Sequence, residues 1–165
     1  MPRASRSDRQ PPHRRDRGPL PARHSNGAVT QSAAIPYRID AEDRLQILLV
    51  TSRRRRRWII PKGKVKRGTL PSRSAEREAF EEAGVLGKVD KQPIGTYRRE
   101  EKPPDGSSGP NFVQAFGLLV IDELSVWQEM HLRERRWFSI EEAIGAVADP
   151  QLRSLLAGFR RLRQS

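Results

Sequence analysis

Four carboxylates, Glu76, Glu78, Glu81 and Glu82, fall within seven residues of the chain. The apolar positions around them, Ala75, Ala79, Phe80 and Ala83, recur with helical spacing, so one face of the segment can pack inward. At about 3.6 residues per turn, Glu78 and Glu82 lie one turn apart with Glu81 beside them, and three carboxylates converge on one edge. Like charges at that spacing repel and call for a compensating cation. Hard oxygen donors of this kind suit Mg²⁺ or Mn²⁺ better than zinc. A basic loop containing Gly63, Lys64, Lys66, Arg67 and Gly68 runs into the acidic segment, the combination that a site for a metal ion together with a polyphosphate requires.

Gly63 and Gly68 have the separation of a P-loop, and an apolar strand precedes them. The pattern fails at the next residue, because Gly68 is followed directly by Thr69 and the lysine that reaches the phosphates is missing. Arg53, Arg54 and Arg57, with Lys62 and Lys64, flank the acidic segment and can meet phosphates as forks or point charges. Arg53, Arg57, Lys62 and Lys64 are therefore the expected substrate contacts. His131 lies between Met130 and Leu132 and is assigned no role. Trp127, Trp137 and Phe138 can stack on a base, but Trp137 and Phe138 sit in an apolar strand pattern and read as core.

The elements that must position these groups follow from the rest of the chain. Ala33 to Ile39 and Leu45 to Thr51 read as a strand pair around the polar turn 40–44. The five arginines 53–57 connect to a short strand, Trp58 to Ile60, that Pro61 ends. After the acidic helix, Val89 to Arg99 and Asn111 to Ile121 read as two strands, joined by a Pro- and Gly-containing loop, 100–110, expected to be mobile and to cover the site. Arg135 to Phe138 is a last strand. Ser139 caps a helix starting at Ile140, and Asp149-Pro150 opens another to about Arg163, with Leu152, Leu155, Leu156, Phe159 and Leu162 as its apolar stripe. Strands, a helix, more strands and more helices pack most simply as a mixed sheet covered by helices on both faces.

At 165 residues the chain has room for one domain with a sizeable core and not for two ordinary ones. We expect an Arg- and Pro-rich disordered tail over 1–32, too poor in large apolar residues to offset its ordering entropy, and a single domain over 33–165. The tail carries seven arginines against Asp8 and Asp16, so it holds +5 of the net charge of +12 and leaves +7 for the rest. Nonspecific RNA contact through the tail is one consequence of that charge. There is no cysteine, which excludes disulfides, thiolate metal sites and cysteine nucleophiles and fits a cytoplasmic protein. The longest apolar run, Ala115 to Ile121, falls far short of the roughly 20 residues that span a bilayer.

With these residues in view, the stretch resembles the signature of the Nudix hydrolases: a glycine, five residues, a glutamate, seven residues, then Arg-Glu-apolar-x-Glu-Glu-x-Gly-apolar. Gly63, Arg77, Glu78, Ala79, Glu81, Glu82, Gly84 and Val85 fall in register, and Thr69 stands in place of the first glutamate, a departure that bears on bracing of the loop. The resemblance covers residues 33–163. The segments SRRRRRWIIPKGKVKRG, REAFEEAGV and RERRWFSIEEA look most like the diphosphoinositol polyphosphate phosphohydrolase branch.

This resemblance implies an α/β/α sandwich with a mixed sheet between helices. It also implies divalent-metal dependence, and hydrolysis of a nucleoside or inositol diphosphate joined to another group. Carried onto this sequence, it makes Glu78, Glu82 and the Gly63 carbonyl metal ligands. Glu81 becomes either a ligand or the base that orients the water. Arg77 braces the carboxylates, and Gly84 ends the helix in a left-handed conformation. The expected substrate is a small, highly phosphorylated anion, either a diphosphoinositol polyphosphate or a dinucleoside polyphosphate. The alternatives are a nucleoside triphosphate, an RNA 5′ end, or a module that binds nucleotide or RNA without turnover.

Overall fold

The computed structural model describes residues 29–98 and 112–165, and the 100–110 loop and the tail to residue 28 lie outside them. Among the described residues, eight strands form one mixed sheet. In chain order the elements are β1 (Val29–Ile39), β2 (Leu45–Thr51), β3 (Trp58–Ile59), β4 (Lys62–Lys64), α1 (Pro71–Ala83), β5 (Val85–Val89), β6 (Gly95–Arg98), β7 (Phe112–Glu123), β8 (Arg135–Ser139), α2 (Ile140–Ala146) and α3 (Pro150–Gln164).

β1 is the hub. It runs parallel to β7 and antiparallel to β2 and β4, and residues 31–37 are all buried, as expected of a strand covered on both faces. β5 and β6 pair antiparallel with β7, and β3 and β8 pair antiparallel with β2. β1 pairs with β2 at Tyr37–Ile39 and with β4 at Gln31–Ala33, so the sheet opens between them and the chain from Trp58 to Lys64 fills the opening. Pro61 makes the joint: its carbonyl accepts from Ala34 N at 3.0 Å, and the chain then continues as β4.

Two cores follow from the alternation of side chains. On one face Ala33, Ile35, Ile47, Leu49, Ile60 and Val113 pack against Leu152, Leu156 and Phe159 of α3 and Ile140 and Ala143 of α2. On the other Ala34, Leu48, Val50, Phe116 and Leu118 pack against Ala75, Ala79 and Ala83 of α1. The sandwich expected from the order of elements is thus present. Leu156 is fully buried and far in sequence from the acidic helix; Leu156→Ala should lower stability by about 2–5 kcal/mol, measured by urea unfolding.

Several element boundaries differ from the sequence reading. Strand pairing begins at Val29 rather than Ala33, and Lys62–Lys64 is a strand where Pro61 suggested an end. The expected strand from Val89 to Arg99 is two strands with a bend between them, and β5 starts immediately after α1. Phe80, expected to face inward, is 42% exposed, while the alanines beside it are fully buried. Small side chains let α1 lie close to the sheet, which leaves no room beneath it for a ring. Leu162 is likewise 60% exposed at the end of α3. Phe138 is buried and Trp137 half-buried against the α1-side core, in keeping with their reading as core residues.

Candidate active site

α1 begins at Pro71, preset for the first helical position. Its cap residue Leu70 contributes no side-chain hydrogen bond, so tertiary contacts hold this end: Ser32 Oγ donates to Pro71 O at 2.5 Å, and Ser74 Oγ donates to Lys64 O at 3.4 Å. The other end stops at Gly84, with φ of 65° and its N–H on the carbonyls of Ala79 and Phe80. This is the left-handed stop that the resemblance implies.

The carbonyls orphaned at the end of α1 are taken up by the 124–135 segment. Glu129 N donates to Glu81 O at 3.1 Å and Leu124 N to Gly84 O at 2.8 Å. Trp127 Nε1 donates to Glu82 O at 3.1 Å, and Arg135 Nη1 to Ala83 O at 2.8 Å. α1 has no basic residue in its last turn; the Arg135 guanidinium supplies the positive charge that a helix C-terminus favours. Docking of this segment is what carries Glu129 and Arg133 to the acidic edge.

At that edge Glu78 lies against Gly63 of β4. A Cβ built on Gly63 would overlap the Glu78 carboxylate, so the bare backbone is a cradle for it. Glu82 is 5% exposed. Its Oε2 accepts from Lys62 N at 3.3 Å, and its Oε1 accepts from Arg133 Nη2 at 3.1 Å. Burial, reinforced by the Glu78 and Glu129 carboxylates, pushes the Glu82 carboxyl up to about 7 against the lowering influence of Arg133 and Lys62. Burial, with Glu81 and Glu129, also raises Glu78. Arg77 Nε stands 4.0 Å from Glu81 Oε1, one turn away on the same helix.

The basic residues divide. Arg53 Nε approaches Glu129 Oε1 at 4.0 Å, and Arg56 Nη1 donates to Leu132 O at 3.0 Å, so the arginine loop is tied to the 127–133 segment. Arg57 is exposed, with its backbone N–H on Ser52 Oγ. In β4 successive side chains alternate; with Gly63 facing Glu78, the side chains of Lys62 and Lys64 stand on the opposite face. Gln31, cross-strand from Lys64, shares that face, and its Oε1 is buried without a hydrogen-bond partner. His131 is exposed.

Glu129 and Arg133 were not singled out from the sequence, although their four-residue spacing was a visible sign of a paired turn. Their approach to Glu82 is set by the fold. Among the described residues, no three acidic or imidazole side chains form a closed metal-ligand set. The donor chemistry nonetheless fits a hard divalent cation: carboxylate oxygens backed by a glycine cradle, two of them raised by burial and mutual repulsion. A groove of about 540 Å³ between β6 and α3, lined by Thr96, Gln151, Leu155 and Arg161, includes none of these carboxylates, and the chemistry is therefore assigned to the α1 edge.

A family model described as NUDIX domain matches residues 29–159. Nudix hydrolase 13, mitochondrial, of Arabidopsis thaliana is 31% identical over 158 residues, covering 85% of this chain and 77% of that protein. Diphosphoinositol polyphosphate phosphohydrolase 3-alpha of Homo sapiens is 32% identical over 121 residues, 72% of this chain and 68% of that one. The crystal structure of a C. elegans Ap4A hydrolase shares the fold, with a TM-score of 0.64 at 24% identity over 82% of this chain and 99% of that one.

Proposed function

Given that the chain belongs to the NUDIX family and is a pyrophosphohydrolase, we propose that it cleaves a highly phosphorylated substrate, a diphosphoinositol polyphosphate or a dinucleoside polyphosphate, with Mg²⁺ or Mn²⁺. The observation that carries the choice of substrate is the arginine loop held against the acidic edge through Arg53–Glu129 and Arg56–Leu132. It brings dense positive charge beside the carboxylates, where a substrate with several phosphates outside the scissile linkage gains most.

In this reading Glu78, Glu82, Glu81 and the Gly63 carbonyl would hold the divalent ion. An ion held there would supply charge to neutralise adjacent phosphates and to acidify a water molecule. Glu81 and Glu78 share the task of orienting that water and accepting its proton. Arg77 restrains Glu81 from the preceding turn. Arg53 and Arg57 bind phosphates beyond the scissile bond, Lys62 and Lys64 reach the substrate from the other face of β4, and Gln31 supplies an acceptor for a donor-bearing group there. The proposal includes a cytoplasmic location; Arabidopsis relatives carry the word mitochondrial in their names, and cell fractionation decides between the two.

The test is a panel of dinucleoside polyphosphates, diphosphoinositol polyphosphates, nucleoside triphosphates and 5′-triphosphorylated RNA with Mg²⁺ or Mn²⁺, scored by the products formed. Turnover confined to the triphosphates or RNA would replace the proposed substrate class. Arg53→Ala and Arg57→Ala should each raise KM about 10–100-fold for the preferred substrate with little change in kcat, since each removes a charge-assisted phosphate contact worth about 1.5–3 kcal/mol.

A further inference from the structure

Arg133 is the residue on which the acidic edge converges. Its side chain is 9% exposed, and all three donor nitrogens are engaged. Nη2 donates to Glu82 Oε1 at 3.1 Å, Nε to Glu129 Oε1 at 3.3 Å, and Nη1 to Thr51 O at 3.1 Å. The anchor at Thr51 is itself fixed: Thr51 is buried, its N–H donates to Glu134 O at 3.0 Å, and its Oγ1 accepts from Glu134 N at 2.9 Å. A planar fork fastened to β2 thus holds one oxygen from a helix and one from a loop.

We propose that Arg133 is the positioning residue for the metal ligand Glu82, keeping Oε1 on the guanidinium so that Oε2, which takes one hydrogen bond from Lys62 N, turns its remaining lone pair to the ion. The inference rests on the reading that these carboxylates bind a divalent cation. The orientation is specific, since Oε2 lies 3.3 Å from Lys62 N, on the residue preceding the Gly63 cradle. The charges also fit. Arg133 and Arg53 balance the two carboxylates Glu82 and Glu129, which leaves Glu78 and Glu81 to attract the cation. Arg133 therefore orders Glu82 without saturating the site, and it binds Glu129 to the same rigid unit. A lysine offers no planar fork and cannot serve both carboxylates and the Thr51 carbonyl in this geometry.

Loss of an outer partner that orients a metal ligand typically weakens metal binding by about 10–100-fold. The experiment is calorimetric titration of Mn²⁺ alone into the substrate-free full chain at pH 8, for the wild type, Arg133→Met and Arg133→Lys. Arg133→Met should weaken Mn²⁺ binding by about 10–100-fold, with Arg133→Lys in between. Circular dichroism and the thermal midpoint in chelator identify the folded variants, and if Arg133→Met does not fold, Arg133→Lys alone decides. A folded variant that binds Mn²⁺ as tightly as the wild type, with only its midpoint lowered, would give Arg133 a purely structural role. Tighter binding would make Arg133 a competitor of the ion. Either result overturns the proposal. A wild-type protein that binds no Mn²⁺ overturns the underlying metal reading as well, which separates the two failures.

Discussion

Replacing Glu82 by glutamine should lower kcat/KM by about 10²–10⁴-fold and at the same time raise the thermal midpoint of the metal-free protein at pH 8. The first effect follows from removing a charged oxygen donor while keeping its shape. The second follows from burial. Glu82 is 5% exposed, and its carboxyl is pushed from the ordinary 4.5 up to about 7, first by desolvation and then by Glu78 and Glu129. The folded state thus holds a proton that the unfolded chain releases, so the contribution of Glu82 is fully present below pH 4.5 and is lost as the pH rises through 7. At pH 8 the loss amounts to at most about 3 kcal/mol, and glutamine avoids it. The Arg133 contact offsets part of this gain, leaving a shift of a few degrees in favour of the variant. Thermal melts in chelator at pH 5 and pH 8 check this: the advantage of Glu82→Gln should grow with pH. A variant less stable than the wild type at pH 8 would show that Arg133 outweighs burial.

Gly63→Ala should cost about 10²-fold in kcat/KM, although it adds a single methyl group. Its Cβ would occupy the space of the Glu78 carboxylate. Since β4 is pinned to β1 at Gln31, Ser32 and Ala33, the side chain must move rather than the strand. Displacement of a reacting group by about 1 Å is enough for a loss of that size. The backbone at Gly63 is not in the left-handed region, for among the described residues the glycines with positive φ are Gly68 and Gly84; the penalty is therefore steric. Steady-state kinetics on Gly63→Ala beside Gly68→Ala separates the two kinds of glycine. At Gly68, where a Cβ meets nothing within 4 Å but φ is 82°, the change should cost stability and spare most of the activity.

What the sequence carried well was local. The spacing of Ala75, Ala79 and Ala83, the stop at Gly84, the cap at Ser139, and the stripe Leu152, Leu156 and Phe159 all depend on residues within a few turns, and each element formed where expected. β4 was hidden because Pro61 reads as a terminator and Lys-Gly-Lys has no apolar residue to mark a strand; pairing with β1 makes it one. β5 and β6 were merged because Asp90 to Ile94 is too short a break to stand out. The largest omission, Glu129 and Arg133, has the same cause. Arg133 meets Glu82 across 51 positions and Thr51 across 82, and no local periodicity reports a contact of that span. Phe80 shows the converse failure: helical spacing marks which face a residue occupies, but not how close the sheet will come.

The central claim is that the α1 carboxylates on the Gly63 cradle drive metal-dependent pyrophosphate cleavage. Its most direct test is product release from the polyphosphate panel, measured side by side for the wild type with Mg²⁺, the wild type in chelator and Glu82→Gln with Mg²⁺. Rapid release in the first reaction alone is the predicted result. Equal release from Glu82→Gln, or undiminished release in chelator, would contradict it.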